Sequence, residues 1–521
     1  MSLLTVASHS GLNKRFPQHR LTEKKTQYAR KLVNFMSLDG DITKVGGSTR
    51  YDATSRGQKT RWLKRIYYES GGDKKRYLFA VIDRKMYRGT DHNQLLNQVK
   101  VGGDFEPRIQ ESFISYPIDC TIKVSDTVTT FLVDGENFFK FNGNDGGEWE
   151  QLPDKNDIDG NVIEPIDMVE YLDRSFVLVR GRNVILHSKN LNPETYDDAT
   201  NSGLIECPAG NGGFPQKLIV HRGFLYVIHE DYIAPISGSS ASTFGIRPGD
   251  IIHGFGTRAP RSVLGLKTEF GFLNSKDNEY YITGGTLDST KKIPLSYEIE
   301  LSAIINPVMA DDTVAHLDTN INAIRISYVG TGETRLNREV IYSLSEEKWC
   351  GETYGFNISC YAQWNGRNDE GELTIGRSDS GLVMFMDEGM NIDGGSMYVE
   401  YESADYIDDG ISELQFEEFW LDGKPTGTFG IPFYYYLDSR LTTNGQFDLE
   451  MQGEGTSLGL IIIADQTLLV NRLRPLTDKS KGRMIRFKIV GSLTDREIEF
   501  NSIYAIYNKQ NVKFSKYLIG R

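Results

Sequence analysis

The sequence predicts an all-β protein in which a β-propeller of six or seven blades precedes a β-sandwich-like domain. Seven strand–turn–strand segments recur about every 50 residues, beginning at residues 77, 129, 175, 223, 269, 322 and 371. A period of this length built of strand pairs is typical of propellers. The 52 glycines, 27 tyrosines and 26 phenylalanines suit turns and strands. Beyond residue 395 the period ends and strands with alternating apolar and polar residues follow.

Residues 1–50 are predicted to form a basic lead-in of their own. Within residues 22–36, apolar side chains fall near one face of a helix, which predicts a short amphipathic helix. Residues 39–51 (DGDITKVGGSTRY) are rich in turn formers and predict a hairpin-like stretch. Their lysine and arginine suit either DNA or an acidic protein partner. The first residues have no sustained apolar core, so we expect no signal peptide.

Residues 51–395 are predicted to form the propeller. The clearest repeat is residues 129–143 (TTFLVDGENFFKFNG), where Asp134-Gly135 predicts a tight turn between two strands. A second, less regular pair of strands is predicted before each hairpin, as at 120–124 and 217–221. A single hairpin cannot bury its apolar face, whereas stacked four-stranded blades can. The sixth and seventh segments are weaker, so the blade number stays at six or seven.

Residues 396–521 are predicted to form the sandwich-like domain. Phe447 and Leu449 alternate with polar residues, and Ile485, Phe487 and Ile489 alternate with basic ones, as in strands with one wet face. Further strands are predicted at 413–420, 431–437, 458–470 and 497–506. About seven strands over this length fit a sandwich. The last residues, 509–521, are basic and are predicted to be a tail or contact arm.

The charge is distributed unevenly along the chain. Residues 1–100 carry 21 Lys and Arg against 8 Asp and Glu, while the whole chain has a net charge of −13. The remaining residues therefore have a net charge of −26. A basic first fifth on an acidic body predicts two kinds of surface, although most such charges serve only to solvate a face.

The sequence contains no recognised catalytic or cofactor motif. The eight histidines form no H-x-x-x-H or H-x-H pair, and no P-loop, G-x-S-x-G elbow or dinucleotide fingerprint occurs. We therefore predict no catalytic residues, no cofactor and no enzymatic activity. The sequence contains no run of about 18 apolar residues, so no membrane span is predicted. The four cysteines, Cys120, Cys207, Cys350 and Cys360, predict buried free thiols rather than a disulfide framework.

Two acidic turns resemble known motifs without matching them. Residues 154–164 place Asp157, Asp159 and Gly160 at the spacing of a calcium loop, but Lys155 and Ile166 then occupy positions that need oxygen ligands. A solvated acidic turn is the preferred interpretation, with a bound cation as the alternative. Residues 144–149 (NDGGEW) are one residue short of a sialidase Asp-box, and no other hairpin repeats them.

Several stretches together resemble one family. Residues 32–51 contain an Asn-Phe stretch, a Gly turn and a Gly followed by a basic residue. Residues 244–304 contain a Phe-Leu strand, a polar turn and a Tyr-Ile return. Residues 340–389 run from a Tyr strand into Trp-Cys and then a Gly-containing hairpin, and Arg-bearing strands occupy 472–474 and 483–488. These patterns resemble the tail nozzle proteins of short-tailed bacteriophages, also called tail-hub or packaged-DNA stabilisation proteins.

The resemblance implies a structural virion protein. Such proteins form a ring, expected to be hexameric, below the portal and adaptor, continue the DNA channel, retain packaged DNA and allow its ejection. The implied partners are further copies of the chain, portal–adaptor proteins, tail fibre or spike/needle proteins, and double-stranded DNA bound without sequence specificity. The implied location is the virion tail, assembled in the host cytoplasm. A DNA channel lined with acidic residues would repel the passing duplex, which carries about one negative charge per 1.7 Å of its axis.

Two groups of residues follow from this placement. The candidate contacts with the adaptor or a neighbouring subunit are the basic residues Lys14, Arg15, Arg20, Lys24, Lys25, Arg30 and Lys31. The candidate channel-facing hairpin tip is Asp134 and Glu136, although whether this tip points into a lumen or outward stays open.

Two other functions remain open on the sequence. One is a glycan-binding or glycan-hydrolysing propeller. A hydrolase would need paired carboxylates across a cleft. With 71 acidic residues, no particular pair stands out. A propeller that serves only as a scaffold for protein–protein contacts is the other alternative.

Overall fold

The computed structural model describes residues 2–6, 11–15, 28–38, 41–70, 73–89, 97–98, 116–124, 127–141, 143, 148–210, 213–286, 288–290, 293–365, 371–407, 412–425, 429–438, 440, 442–451, 469–473, 475 and 480–510. These residues form an all-β structure with a few short helices, as predicted. One α-helix covers Leu301–Ile304, and 3₁₀ helices cover Pro248–Asp250, Pro260–Ser262, Leu295–Glu298 and Pro307–Asp312.

The strands are numbered in chain order. The first are β1 (Ser2–Val6), β2 (Ala29–Val33), β3 (Phe35–Leu38), β4 (Asp41–Lys44), β5 (Ser48–Arg50), β6 (Thr60–Ser70), β7 (Asp73–Ile82), β8 (Lys85–Gly89), β9 (Asn97–Gln98), β10 (Ile118–Val124), β11 (Thr127–Val133), β12 (Phe138–Phe141), β13 (Trp149–Gln151), β14 (Pro165–Tyr171), β15 (Arg174–Val179), β16 (Val184–His187), β17 (Gly203–Glu206), β18 (Pro215–His221), β19 (Phe224–His229), β20 (Tyr232–Ser237), β21 (Gly245–Ile246) and β22 (Ile252–His253). The others are β23 (Leu264–Gly265), β24 (Phe270–Leu273), β25 (Tyr280–Thr283), β26 (Val314–Asp318), β27 (Ala323–Val329), β28 (Leu336–Ser343), β29 (Lys348–Tyr354), β30 (Ile358–Asn365), β31 (Gly371–Arg377), β32 (Val383–Met386), β33 (Met397–Ser403), β34 (Tyr406–Ile407), β35 (Glu413–Pro425), β36 (Phe429–Leu437), β37 (Gly445–Met451), β38 (Leu469–Leu473), β39 (Lys481–Gly482), β40 (Met484–Leu493) and β41 (Ile498–Gln510).

The chain folds into two compact units. One, which we call the sandwich, contains Met1–Thr49, Glu339–Phe356 and Asp387–Arg521. The other, which we call the propeller, contains Arg50–Arg338 and Asn357–Met386. The propeller is thus inserted into the sandwich in sequence. Residues 1–49 belong to the sandwich, whereas the sequence had placed residues 1–50 in a separate lead-in.

The propeller consists of small antiparallel sheets that follow one another along the chain. Sheet 1 is β6–β9, sheet 2 is β10–β13, sheet 3 is β14–β17, sheet 4 is β18–β22 and sheet 5 is β23–β25. The pair β26–β27 takes the sixth place, and sheet 7 contains β30–β32. Strands lie at all seven predicted hairpin positions. In complete sheets, however, one strand precedes the hairpin and one follows it, instead of a second pair before it.

Apolar side chains hold successive sheets together. Separate buried clusters join sheet 1 to sheet 2, sheet 2 to sheet 3, sheet 3 to sheet 4, and sheet 4 to sheet 5. In the first cluster, the Trp149 ring lies edge-on to Trp62 at 6.0 Å and to Phe79 at 5.6 Å. A further cluster joins sheet 1 to sheet 7 through residues such as Leu78 and Phe385. The first and last sheets therefore pack together, as in a β-propeller.

The sandwich consists of two sheets packed face to face. Sheet A has the order β3-β4-β41-β35-β38, with β1 beside β41 and β39 beside β35. Sheet B has the order β28-β29-β2-β33-β40-β36-β37, with β34 beside β40. Phe419 of sheet A contacts the rings of Tyr435 at 5.1 Å and Phe487 at 5.2 Å in sheet B. Ile485, Phe487 and Ile489 are fully buried, which confirms the predicted alternation in β40.

The predicted helix over residues 22–36 is wrong where the structure describes it. Residues 29–33 and 35–38 form β2 in sheet B and β3 in sheet A. Asn34 between them has a left-handed backbone with φ of 55°. This kink turns the chain from one sheet to the other, so Leu32 and Phe35 are both buried between the sheets. The helix-like spacing of apolar residues comes from two short strands on either side of the kink.

All four cysteines are buried free thiols, as predicted. Burial raises the pKa of Cys360 to about 11 and that of Cys207 to about 12, so neither thiol is a ready nucleophile near neutral pH. None of the helices in the described part of the chain has the length and apolar character to cross a membrane.

Candidate functional site

A ladder of charged side chains covers the outer face of sheet B. Strand β33 lies between β2 and β40, and its Val399 and Tyr401 point into the core. Since side chains alternate along a strand, Glu400 and Glu402 point outward. Arg30 and Lys31 reach them from β2, and Arg486 and Lys488 reach them from β40. We call these six residues the basic ladder.

The two glutamates of the ladder each lie between two cations. Glu400 Oε1 is 3.1 Å from Lys31 Nζ and 2.6 Å from Lys488 Nζ. Glu402 Oε1 is 3.3 Å from Arg30 Nη1 and 3.3 Å from Arg486 Nη1. Four cations thus surround two carboxylates. The side chains of Arg30 and Lys31 are 39% and 45% exposed, whereas those of Glu400 and Glu402 are 8% and 10% exposed. The ladder therefore presents positive charge to solvent.

The ladder shifts the ionisation of its members. Burial acts to raise the pKa of Glu400, but hydrogen bonds from Lys488 and Tyr398 and the charge of Lys31 lower it overall. Burial acts to lower the pKa of Lys488, but its bond to Glu400 raises it overall. Both shifts stabilise the charged forms, so Glu400 and Lys488 stay ionised at neutral pH.

The other predicted basic contacts are dispersed. Lys14 forms an ion pair with Glu352, and Arg15 is exposed. Arg20, Lys24 and Lys25 lie outside the described residues. Sequence reasoning therefore found the two β2 members of the ladder. It also noted the Arg-bearing stretch 483–488, without pairing the two.

The predicted hairpin tip is built differently from the expectation. Val133 pairs with Phe138, so the turn spans four residues rather than two. Asp134 is 1% exposed, and its Oδ1 accepts hydrogen bonds from the backbone N–H groups of Glu136 at 3.1 Å and Asn137 at 2.7 Å. Burial, the largest influence, raises the pKa of Asp134. Its carboxylate closes the turn and does not face solvent, whereas Glu136 is partly exposed.

The residues that resemble nozzle motifs meet inside the sandwich. The fully buried Asn34 donates through Nδ2 to the carbonyls of Tyr354 at 3.1 Å and Tyr398 at 2.7 Å. Its Oδ1 accepts from Tyr354 N–H at 2.8 Å, and its own N–H donates to Glu352 O at 2.8 Å. One asparagine therefore joins β2 to β29 and β33. We call this arrangement the Asn34 joint.

Two glycines of the same motifs are required by close approach of the backbone. A Cβ on Gly351 would lie 2.2 Å from Phe35 O, and one on Gly47 would lie 2.2 Å from Asn391 O. Gly47 N–H also donates to Gly389 O at 2.9 Å. Stretches 32–51 and 340–389, which carry the resemblance, thus contact each other through the residues that define their patterns.

A second group of polar residues lies in the propeller, just before its inner strands. Lys59 precedes β6, Tyr116 precedes β10, Arg261 precedes β23 and Asp312 precedes β26. Hydrogen bonds nevertheless bring these four residues together. Tyr116 Oη donates to Asp312 Oδ1 at 2.7 Å, and Lys59 Nζ donates to Tyr116 Oη. We call these four residues the axial cluster.

The axial cluster is held by its own hydrogen bonds. Arg261 donates to Ser359 O at 2.7 Å and to Asp312 O at 2.8 Å, and its guanidinium covers the Tyr116 ring. Burial and the nearby Arg261 charge lower the pKa of Lys59 to about 8. Burial raises the pKa of Tyr116. The cluster thus connects several sheets of the propeller. The Lys59 amine is partly neutral near pH 8.

Sequence reasoning missed the axial cluster, although the repeat held the information needed to find it. Once the hairpins are aligned, polar residues one or two positions before each inner strand share one end of the axis. Lys59, Tyr116 and Asp312 occupy such positions. Arg261 sits in the short helix before β23, a position that the period does not mark.

The turn that resembled a calcium loop is held by hydrogen bonds to Asp157, one of them from an arginine. Asp157 Oδ1 accepts from the N–H groups of Asp159 at 3.0 Å and Asn161 at 2.8 Å. Arg182 Nη1 donates to Asp157 Oδ2 at 2.8 Å. Although burial acts to raise the pKa of Asp157, these bonds lower it overall. The described part of the chain contains no group of three or more His, Cys, Asp or Glu placed to hold a metal ion.

Comparison with known proteins identifies no family. No known family matches the chain, and no curated protein matches it. Among solved structures, it is similar to the Pan2 WD40 domain of Neurospora crassa, with 8% identity, a TM-score of 0.38 and coverage of 69% of this chain and 99% of that one. It is also similar to the extracellular domain of the putative one-component system BT4673 from B. thetaiotaomicron, with 10% identity, a TM-score of 0.41 and coverage of 76% and 44%.

A third similar structure is the N-terminal domain of Nup159, with 9% identity, a TM-score of 0.35 and coverage of 69% of this chain and 97% of that one. The chain spans less than half of the BT4673 domain that it matches. Similarity at this level identifies neither a family nor an activity.

Proposed function

We propose that this chain is a non-enzymatic structural subunit of the tail nozzle of a short-tailed bacteriophage. In this function it forms a ring, expected to be hexameric, below the portal and adaptor of the virion tail. The ring continues the DNA channel, retains packaged DNA and allows its ejection on infection. Tail fibre or spike/needle proteins are the further partners. The coarser form of the proposal, a propeller used as a binding scaffold, rests on the fold alone.

The observation that carries the proposal is the Asn34 joint. The patterns in residues 32–51 and 340–389 are loose, so each alone is weak support. Residues of the two stretches nevertheless contact each other. Asn34 bonds to Tyr354, the Gly351 backbone approaches Phe35, and Gly47 donates to Gly389. Residues that resemble a family for unrelated reasons would have no cause to meet. This supports a shared fold with nozzle proteins.

The basic ladder supports docking on an acidic partner. Arg30 and Lys31 were predicted as contacts, and their side chains are the most exposed of the basic ladder. The chain beyond residue 100 has a net charge of −26, so this face contrasts with the remainder. Complementary charge speeds association and orients partners. An acidic adaptor surface would therefore be steered towards sheet B.

Native mass spectrometry and electron microscopy of the full chain test the proposal directly. We expect a ring of about six subunits, either alone or on a portal–adaptor assembly from the same virion. Virions that lack the protein should package DNA and then lose it. A chain that stays monomeric and does not bind the portal–adaptor assembly would contradict the proposal.

The docking face is tested by charge reversal. The double substitution Arg30→Glu and Lys31→Glu should abolish sedimentation with the portal–adaptor assembly, because it reverses the exposed charge of the ladder. Lys267→Glu is the control for charge reversal, since Lys267 is an exposed lysine of the propeller and not a member of the ladder. Equal loss of binding in both variants would show that only net charge matters.

A further inference from the structure

The propeller contains a polar cleft that no part of the proposed function uses. It has a volume of about 440 Å³, and three loops line it. The turn between β19 and β20 contributes Glu230 and Asp231, the segment after β22 contributes Arg258, and the turn between β24 and β25 contributes Ser275 and Lys276. Small-molecule sites are usually about 300–1,000 Å³, so the cleft is large enough for a small ligand.

The charges that line the cleft balance. Two carboxylates, Glu230 and Asp231, and two cations, Arg258 and Lys276, line the cleft. Glu230 Oε1 also accepts from Phe214 N–H at 3.3 Å and Gln216 Nε2 at 3.1 Å. The Arg258 guanidinium also lies 3.5 Å from Asp311, which is not among the lining residues and which holds it at one side. A ligand with a net charge of either sign would meet a like-charged pair. A neutral ligand would meet donors and acceptors in similar number.

Hydrogen bonds from neighbouring residues hold the polar groups of the cleft, so the site is preorganised. His229 is fully buried and contacts Asp231 Oδ1 through Nδ1 at 2.8 Å. Asn274 accepts from Gly256 N–H at 3.2 Å and donates to Asp277 at 3.2 Å. Such support fixes Asp231 and the β24–β25 turn in place before any ligand arrives.

One polar atom in the cleft wall has unused bonding capacity. Ser275 Oγ is buried and has no hydrogen-bond partner among the described residues. A buried hydroxyl without a partner is unfavourable. Hydroxyl groups both donate and accept, so they can bond to the carboxylates and the cations of the cleft alike.

We propose that this cleft binds a neutral carbohydrate of one or two sugar rings. The vicinal hydroxyl groups of the sugar would donate to Glu230 and Asp231 and accept from Arg258 and Lys276. Charge balance is the reason for a neutral sugar rather than an acidic one. The inference goes beyond the proposed nozzle role, because it gives one propeller a contact with glycan.

Saturation-transfer NMR and calorimetry with the full chain test this site. The probes are glucose, galactose, mannose, N-acetylglucosamine and their β-linked disaccharides, with sialic acid and glutamine as charged and zwitterionic arms. We expect at least one neutral sugar to bind with a Kd in the millimolar range. We expect no binding of sialic acid or glutamine. Asp231→Asn and Lys276→Met should each raise Kd at least tenfold.

Lys267→Met is the matched control. Lys267 and Lys276 are both exposed lysines of sheet 5, in the turns at opposite ends of β24. Loss of a lysine outside the cleft should leave Kd unchanged. Because Lys276 is exposed, its substitution is expected to leave the fold intact, which thermal melting verifies. Absence of binding to every neutral sugar, preference for sialic acid or glutamine, or equal effects of Lys267→Met and Lys276→Met would overturn the proposal.

Discussion

The propeller and the sandwich obtain their cores in opposite ways. In the propeller, strands that pair are neighbours in sequence, as β10, β11 and β12 are in sheet 2. In the sandwich, β4 pairs with β41 and β2 lies between β29 and β33, so partners come from distant parts of the chain. A local pairing leaves a period in the sequence, whereas a distant pairing leaves only the alternation within each strand. The two units therefore differ in how far sequence predicts them.

The largest effect is expected when the central aromatic residue of the sandwich is replaced. Phe419→Ala should lower the free energy of unfolding by about 3–5 kcal/mol, because it leaves a cavity between the two sheets. Hydrogen exchange should rise first in β35, β36 and β40. Urea unfolding followed by hydrogen-exchange mass spectrometry measures both effects.

Trp149→Ala provides the comparison within the propeller. A loss of similar size is expected there, with exchange rising in sheets 1 and 2, whose rings pack on Trp149. Phe224→Ala, at a side chain that is 57% exposed, should change stability by less than about 0.5 kcal/mol. A sandwich core that tolerates Phe419→Ala as well as it tolerates Phe224→Ala would contradict the packing described here.

The next effect concerns the Asn34 joint. Asn34→Ala should cost about 2–4 kcal/mol, because it leaves the Tyr354 and Tyr398 carbonyls and the Tyr354 N–H without their side-chain partner in a buried place. Chemical denaturation measures it.

Asn278→Ala is the control for the joint, since Asn278 also has a positive φ, of 56°, but lies at a hairpin turn of the propeller. Only the backbone strain, on the order of 1 kcal/mol, should appear there. Equal losses at the two sites would mean that the side-chain bonds of Asn34 contribute nothing.

These positions show what the sequence predicts and what it leaves out. The hairpin at 129–143 and its six relatives were found because each contains its own turn and both strands. The partners of β2 were missed because they lie hundreds of residues away. The kink at Asn34 gave the apolar residues of β2 and β3 a helical spacing. The axial cluster and the cleft were missed because each gathers single residues from several loops, none of which forms a motif.

A smaller effect appears at alkaline pH in the axial cluster. The pKa of Lys59 is lowered to about 8 from its ordinary value of 10.5, so the unfolded chain binds more protons between these pH values. Stability should therefore rise with pH across this window, by on the order of 3 kcal/mol from this group. Lys59→Met should remove that rise.

Measurement of unfolding free energy at several pH values between 7.5 and 10.5 tests this prediction. Lys267→Met is the control, since Lys267 is an exposed lysine and its loss should leave the slope unchanged. The same slope in the wild type and in Lys59→Met would show that the Lys59 amine is not destabilised by its surroundings.

The smallest effect concerns the basic ladder. Lys31 is 45% exposed, so solvent screens its pair with Glu400, and Lys31→Met should cost less than about 1 kcal/mol. The lowered pKa of Glu400 places its stabilising contribution above the ordinary value of 4.5. The difference between Lys31→Met and the wild type should vanish as pH falls below the folded-state pKa, or as salt is raised. A difference independent of pH and salt would point to packing of the lysine stem instead.

The pairing of β4 with β41 has a consequence for synthesis of the protein. Ile42 leaves the ribosome more than four hundred residues before its partner Phe500. At about 5–20 residues per second, this interval is roughly 20–90 seconds. During that time the propeller can complete its sheets, while the early strands have no sheet to join. A cell that makes this chain must keep those strands from pairing with strands of other proteins until β41 has been synthesised.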